Sequence, residues 1–500
     1  MSADLVNKRI RNEALRSKIV DVKEAASWIE DGMTLGISGF TSSGDAKAVP
    51  LALVDRANNG EKFKVNLYTG ASIGRNIDAL MSEAGILNKR LPFQSDPRLR
   101  KQINKASLYY MDLHLSVIGE QIRSGALPPV DVAIIEAVAI TEEGNIIPTT
   151  SGSLSNVYCD SAKEIIVELN VTQPEALEGI HDFYTPEEQG KRKPIPLEKP
   201  SDRIGTPYIK VDPSKIRGIV ISEITDSPSI IVPPDEETQR MADYLIEFFQ
   251  KEVEAGRLPN SLMPMQSGVG SVANAVLHGF IKSDFENLEV YSEVLQDSVF
   301  DLIDAGKVSF ASGCALTLSE EKMKVVNEKF KEYAKKIVLR PQEISNNPEL
   351  IRRMGLICIN TALEVDIYGN VNSTHVLGRN MMNGIGGSGD FARAGRLVIF
   401  VTKSYAKGGD ISSVVPFVSH VDHTEHDVDV IVTEQGIADL RGLAPRERAK
   451  VIIENCAHPT YRPLLQEYYD EAAKKGGQTP HLLDKAFEMH RRFEETGSMK

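Results

Sequence analysis

Short apolar runs alternate with amphipathic stretches along the first two hundred residues. The runs are "MTLGISGF", "FKVNLYTGA", "VDVAIIEAVAI" and "AKEIIVELN", rich in Ile, Val and Leu and closed by Gly, Asn or Thr. Such runs predict buried parallel strands that feed helices at their carboxyl ends, and hence an α/β sheet covered on both faces. From Asp182 to Pro207 the pattern dissolves into "DFYTPEEQGKRKPIPLEKPSDRIGTP", whose prolines and mixed charges predict a surface loop. A second polar stretch, "ITDSPSIIVPPDEETQ", precedes the helical pattern "QRMADYLIEFFQKEVEAG". These linker signals place a domain boundary between 210 and 235, giving domains 1–225 and 226–500. The second half repeats the architecture in "LEVYSEV", "KVSFASG", "LICINTALEVDIYGNV", "RLVIFVT", "ISSVVPFVS" and "DVDVIVTEQG". The likeness of "DVAIIEAVAITEEGNI" to "DVDVIVTEQGIADL" points to two related halves.

Length and composition change the picture in a few respects. A chain of 500 residues exceeds the usual single-core limit, and 41% apolar with 25% charged residues is the make-up of a soluble globular protein. The net charge of −13 argues against a sequence-independent nucleic-acid binder, which needs a basic face to displace counterions. No apolar run is long enough to span a bilayer, and "MSADLVNKRIRNEALRSK" is charged where a signal peptide turns apolar, so no membrane partner and a cytoplasmic location are expected. Cys159, Cys314, Cys358 and Cys456 lie far apart with no Cys-x-x-Cys pair, and read as reduced, buried small residues.

Several stretches carry candidate chemistry. In "ENLEVYSEVLQDS", Glu293 falls where a strand gives way to the helical spacing Leu295, Val299, Leu302, Ile303. That edge of an open α/β sheet is where ligands bind, although an acidic residue there also suits the positive end of a helix dipole. "MNGIGGSGDF" has Gly384, Gly386, Gly387 and Gly389 directly before a strand-like run, which lets backbone N–H groups approach an anion or oxyanion. It is neither a dinucleotide fingerprint nor a Walker loop, which counts against a nicotinamide oxidoreductase. "PMQSGVGSVANAV" sets Gly268 and Gly270 at a helix start, where free N–H groups face outward. Lys407 in "YAKGGD" is a loop cation suited to phosphate. His420, His423 and His426 in "SHVDHTEHDVD" invite a metal, but their spacing drifts around a helix axis and the segment reads as a turn. Orientation of loop backbone or carboxylates suits them better, and no metal site is expected. A serine-hydrolase reading wants Gly-x-Ser-x-Gly at a strand-to-helix elbow; "GGSGD" lacks that spacing, and nothing nominates a partner triad.

Taken together, "SGFTSSGDAKAVP", "YTGAS", "QSGVGSVANAV", "YSEVLQDS", "LRPQEISNNPELIRRMG", "DIYGNVNSTHV", "MNGIGGSGDF" and "TEQGIADLRGL" resemble the acetyl-CoA hydrolase/transferase family of class I CoA-transferases. The resemblance runs from about residue 10 to the final "TGSMK". It implies two related open α/β domains with the active site between them, a homodimer, and no metal or tightly bound cofactor, with coenzyme A as substrate. It makes Glu293 the nucleophile, with oxyanion amides at Val269 and Gly387. Asn346 matches a residue near the reacting glutamate, and Glu434 a positioning carboxylate. Gly268, Val269, Gly270, Ser271, Val272, Asn383, Gly387 and Lys407 match CoA contacts.

A carboxylate well above its reference pKa needs no general base, so Glu293 is expected to be ionised near neutral pH. The expected reaction is succinyl-CoA plus acetate giving acetyl-CoA plus succinate. An acetyl-CoA hydrolase, a propionyl-CoA:succinate CoA-transferase and a catalytically silent CoA-binding protein are the alternatives. One departure stands out: "ISEITDSPSIIV" lacks the arginine that some members use for a substrate carboxylate, leaving Arg379 or Arg393 as other cations.

Overall fold

The protein is described by a computed structural model covering residues 3–74, 76–230, 233–268 and 270–500. Its compact units are not consecutive halves. The first comprises Met1–Ile230, Val290–Asp297 and Phe310–Leu350, and the second Ile231–Glu289, Ser298–Ser309 and Ile351–Lys500.

In the first unit a sheet is built from β1 (Thr34–Ile37), β2 (Val65–Tyr68), β3 (Leu87–Leu91), β4 (Tyr109–Tyr110), β5 (Val132–Ile140), β6 (Ile146–Pro148), β7 (Glu164–Asn170) and β8 (Ile216–Ser222). The order is β4-β3-β2-β1-β5-β7-β8, all parallel, with β6 antiparallel on β5. Register follows the buried pattern, with Gly36 opposite Ala133 and Ala133 opposite Ile165. Along β5 the faces alternate: Val132 and Ile134 join one apolar cluster, Ala133, Ile135 and Ala137 another. Both faces are therefore covered, as continuous apolar strands require. Gly36 is where β1 admits Tyr158; a Cβ there would come within 2.6 Å of the tyrosine ring.

The apolar pattern located β1, β2, β5 and β7, but β3 escaped it because "LNKRL" carries two cations. Arg90 is fully buried there and forms a bidentate pair with Asp78, at 2.8 and 3.0 Å, so the strand hides a charge. The stretch from Asp182 to Pro207 holds no helix or long strand, yet it is more than a surface loop. Asp182, Phe183, Ile195 and Leu197 are buried, and Asp182 pairs with the buried Arg340 while accepting the N–H groups of Ile204 and Gly205. Proline-rich composition reveals missing regular structure but not missing solvent.

In the second unit the helix Glu236–Glu254 opens on a capping box in which Asp235 accepts the Thr238 N–H at 2.8 Å and the Thr238 hydroxyl oxygen accepts the Asp235 N–H at 2.9 Å. Such a cap contributes about 1 kcal/mol. Neighbouring strands run in the order Met265–Ser267, Ile357–Thr361, Leu397–Val401, Val430–Thr433, with Gly436–Asp439 folding back antiparallel. Val398, Phe400, Ile431 and Ala438 of these strands share one apolar core with Ile452 and Leu465. Among the described residues no helix is long and apolar enough to cross a membrane.

Candidate active site

Glu293 does not occupy a first helical turn. The strand Leu288–Tyr291 ends two residues before it, the short strand Val294–Leu295 follows, and the helix Asp297–Asp304 starts later. The acidic residue in that first turn is Asp297, which accepts the backbone N–H of Ser319 at 2.9 Å. Helix-dipole stabilisation therefore belongs to Asp297, and Glu293 needs another explanation.

Its backbone is held by a second short strand. Val294–Leu295 pairs in parallel with Ala315–Leu316, and the N–H groups of Cys314 and Ala315 both donate to the Glu293 carbonyl, at 2.6 and 3.1 Å. Among the described residues the side chain receives one hydrogen bond, from Asn346 Nδ2 to Oε1 at 2.9 Å. Asn346 is itself fully buried and closes a short helical turn, Gln342–Ser345, with its N–H bonded to the Gln342 carbonyl at 2.7 Å.

Burial around the Glu293 carboxyl pushes its pKa up to about 7, opposed by the Asn346 hydrogen bond. The residue keeps a partly accessible edge, so the carboxyl is desolvated without being sealed off. The expectation of a fully ionised carboxylate at neutral pH is thus corrected: desolvation disfavours the charged form and leaves a mixture. We expect kcat/KM for an acyl-CoA to climb with pH and level off above about 7, being roughly tenfold below its plateau one unit lower. Asn346→Ala should move that limb to higher pH, because the hydrogen bond it removes favours the anion. A pH–rate profile of both proteins checks this.

The other candidate residues belong to the second unit, except that Val269 lies outside the described residues. Parallel strands share a carboxyl edge, and Gly268 and Glu434 each follow the last residue of one such strand. Gly268 donates its N–H to the Ile359 carbonyl at 2.9 Å. Gly270, at φ 134°, turns the chain into the helix Ser271–Gly279, of which Val272 is part. Glu434 is buried, accepting the Ser404 N–H at 2.8 Å and bonds from the Ser404 hydroxyl and the Gln435 side chain. Asn383 sits half-buried in the bend before the glycine run. Gly386 is left-handed at φ 56°, whereas Gly387 has an ordinary φ of −89° at the start of the short helix Ser388–Ala392. The Ser388 hydroxyl lies 3.2 Å from His423 Nε2, tying the "SHVDH" turn to the glycine loop. Lys407 is exposed, with its ammonium 4.8 Å from the Phe493 ring centroid. Arg379 pairs with Glu494 on the surface, and Arg393 is also exposed. Among the described residues no group of three or more His, Cys, Asp or Glu side chains is placed to hold a metal ion.

Sequence reasoning named Glu293 and Asn346 and missed Ser404, Cys314 and Ala315. Ser404 carries no signal, being a lone serine after a strand. Cys314 and Ala315 act through backbone N–H groups, which side-chain identity does not encode. All four cysteines are free and buried, and burial raises each thiol pKa, so none supplies a thiolate nucleophile.

This fold is that of CoA-transferases. The chain superimposes on RipA from Yersinia pestis with a TM-score of 0.70 at 22% identity, covering 93% of this chain and 98% of that one. A 4-hydroxybutyrate CoA-transferase from Porphyromonas gingivalis gives 0.64 at 20% identity, covering 92% and 99%. The acetyl-CoA hydrolase/transferase N-terminal domain matches residues 3–221 and the C-terminal domain residues 324–469, and the chain belongs to that family. It is similar to a succinyl-CoA:acetate CoA-transferase from Clostridium kluyveri, 54% identical over 99% of this chain and 93% of the relative. A propanoyl-CoA:succinate CoA transferase from Escherichia coli is 42% identical over 95% of this chain and 97% of its own. An acetyl-CoA hydrolase from Schizosaccharomyces pombe is 42% identical over 99% of each. The protein is an enzyme of the CoA-transferase kind.

Proposed function

We propose that the enzyme moves CoA between short carboxylic acids, succinyl-CoA and acetate giving acetyl-CoA and succinate, with Glu293 as the covalent carrier. The observation that carries this reading is the desolvated Glu293 carboxyl held by a side-chain hydrogen bond from Asn346. The ionised carboxylate attacks the thioester carbonyl. The resulting tetrahedral oxyanion collapses to a mixed anhydride, and the C–S bond breaks to release CoA thiolate. The thiolate then attacks the glutamyl carbonyl, freeing the first acid and leaving a glutamyl-CoA thioester. A second carboxylate reverses both steps and leaves as the new acyl-CoA, so thioester energy is conserved.

Asn346 orients Oε1 and leaves the other carboxyl oxygen to attack. Its own buried Oδ1 has no partner among the described residues. Oxyanion donors are assigned to the amides of Val269 and Gly387, each worth roughly 3 kcal/mol of barrier lowering. Gly268, Gly270, Ser271, Val272, Asn383 and Lys407 are assigned to CoA, and Glu434 to positioning. The two sequence domains are 1–225 and 226–500, paired in a cytoplasmic homodimer.

The test is mass spectrometry after mixing with acetyl-CoA and quenching with borohydride. A loss of about 14 mass units at Glu293, the reduction of a glutamyl thioester to an alcohol, is expected; an unmodified Glu293 in turning-over enzyme would sink the mechanism. The relative named as a hydrolase keeps water as a second acceptor in play. An adduct that persists until succinate is added favours transfer, and one that decays equally fast without succinate favours hydrolysis.

A further inference from the structure

We propose that Lys47 is a positioning residue for Glu293, acting through a buried ion cluster that fixes the two loops gripping the strand beside it. The proposal rests on Glu293 being the nucleophile. Lys47 is completely buried just before the helix Ala48–Asn58. Its ammonium contacts Glu136 Oε1 at 2.7 Å and Asp226 Oδ1 at 2.9 Å, and donates to the Asp45 carbonyl at 2.6 Å. Asp226 in turn accepts the Gly44 N–H at 3.2 Å and the Thr150 hydroxyl, so one carboxylate joins the loop after β1 to the loop after β6.

Those same loops clasp Leu316. The Ser43 hydroxyl donates to the Leu316 carbonyl at 2.6 Å, and the Leu316 N–H donates to the Thr150 carbonyl at 2.9 Å. Leu316 continues from Cys314 and Ala315, whose N–H groups hold the Glu293 carbonyl. A chain of direct bonds therefore runs from Lys47 through Asp226, Gly44 and Thr150 to Leu316 and on to Glu293. The loop after β1 also contains Thr41 and Ser42 at φ 48° and 67°. Two adjacent non-glycine residues in the left-handed region persist only where surrounding contacts over-determine them.

A buried ion cluster is a poor source of stability, because apolar residues of like volume often do as well. What Lys47 supplies is direction. It draws carboxylates from β5 and from the segment after β8 to one point and leaves Asp226 aimed at both loops. An error of about 1 Å at a reacting group costs on the order of 100-fold in rate, so small losses of direction are measurable.

The experiment is rapid quench of the borohydride-trapped Glu293 adduct, following rate constant and amplitude separately across acetyl-CoA concentrations. Thr150→Val removes one hydroxyl from Asp226 at unchanged charge, Thr150→Ser restores it, and Lys47→Met removes the cation. We expect Thr150→Val and Lys47→Met to acylate at least about tenfold more slowly at saturation, with full amplitude and unchanged half-saturation. Thr150→Ser should lie close to wild type. A merely structural cluster lowers the amplitude and leaves the rate constant alone, and that result overturns the proposal. Should Lys47→Met not fold, the two Thr150 variants decide. A wild type without adduct would overturn the assignment of Glu293 and this inference with it, whereas adduct at equal rates in all variants overturns this inference alone.

Discussion

Glu293→Ala is expected to lose turnover by a factor on the order of 10⁴ to 10⁶ while gaining stability. Both halves of that result come from the same environment. Desolvation holds the carboxyl near pKa 7, above its ordinary 4.5, so the folded state favours the protonated form. The stabilising share of that linkage is fully present below the unfolded pKa and is lost as pH rises through about 7. Above that pH the folded protein carries an ionised group in a poorly solvated place, and deleting it should add on the order of 2 kcal/mol after allowance for the partly accessible edge. Thermal unfolding of both proteins at pH 5 and pH 8 checks this: the advantage of Glu293→Ala should be larger at pH 8. A variant that loses activity together with stability at pH 8 would return Glu293 to a structural role.

Arg340→Met is expected to be the most damaging of the stability changes, costing about 3–5 kcal/mol. Arg340 is fully buried with its guanidinium shared among the Asp182 carboxylate, the Ser312 hydroxyl at 3.0 Å and the carbonyls of Pro200 and Asp202. Methionine fills much of the space but strands Asp182 as an unpaired buried acid beside acceptors that have lost their donor. Replacing Asp182 by Leu in the same chain should recover part of the loss, since removing both charges is milder than removing one. Urea denaturation of the single and double variants gives the comparison, and an unchanged midpoint for Arg340→Met would refute it.

Continuous apolar strands such as "VAIIEAVAI" were legible in the sequence because both faces of a parallel sheet are buried. "LNKRL" was not, because the pairing of Arg90 with Asp78 is a three-dimensional fact. Glu293 and Asn346 were legible through long motifs, and their 2.9 Å contact gives those motifs a physical meaning. The raised pKa of Glu293 was invisible, since it depends on which groups exclude water from the carboxyl. The Lys47 cluster was half visible: "SGFTSSGDAKAVP" stood out as a motif, but its partners Glu136 and Asp226 come from 89 and 179 positions away, which no local pattern encodes.

The return of residues 290–297 and 310–350 to the first unit also dictates an order of biosynthesis. The apolar cluster of that unit is incomplete without Val294, Cys314 and Ala315, and its guanidinium clasp on the proline-rich stretch waits for Arg340. A ribosome that has released residues 1–230 has exported a sheet with part of its lining still unmade. The nucleophile and the groups that hold it emerge only after the second unit's first helix, Glu236–Glu254, and the strand Met265–Ser267 have been translated. The reacting carboxyl thus enters its desolvated niche late, because Cys314, Ala315 and Asn346, which hold it, are all translated after it.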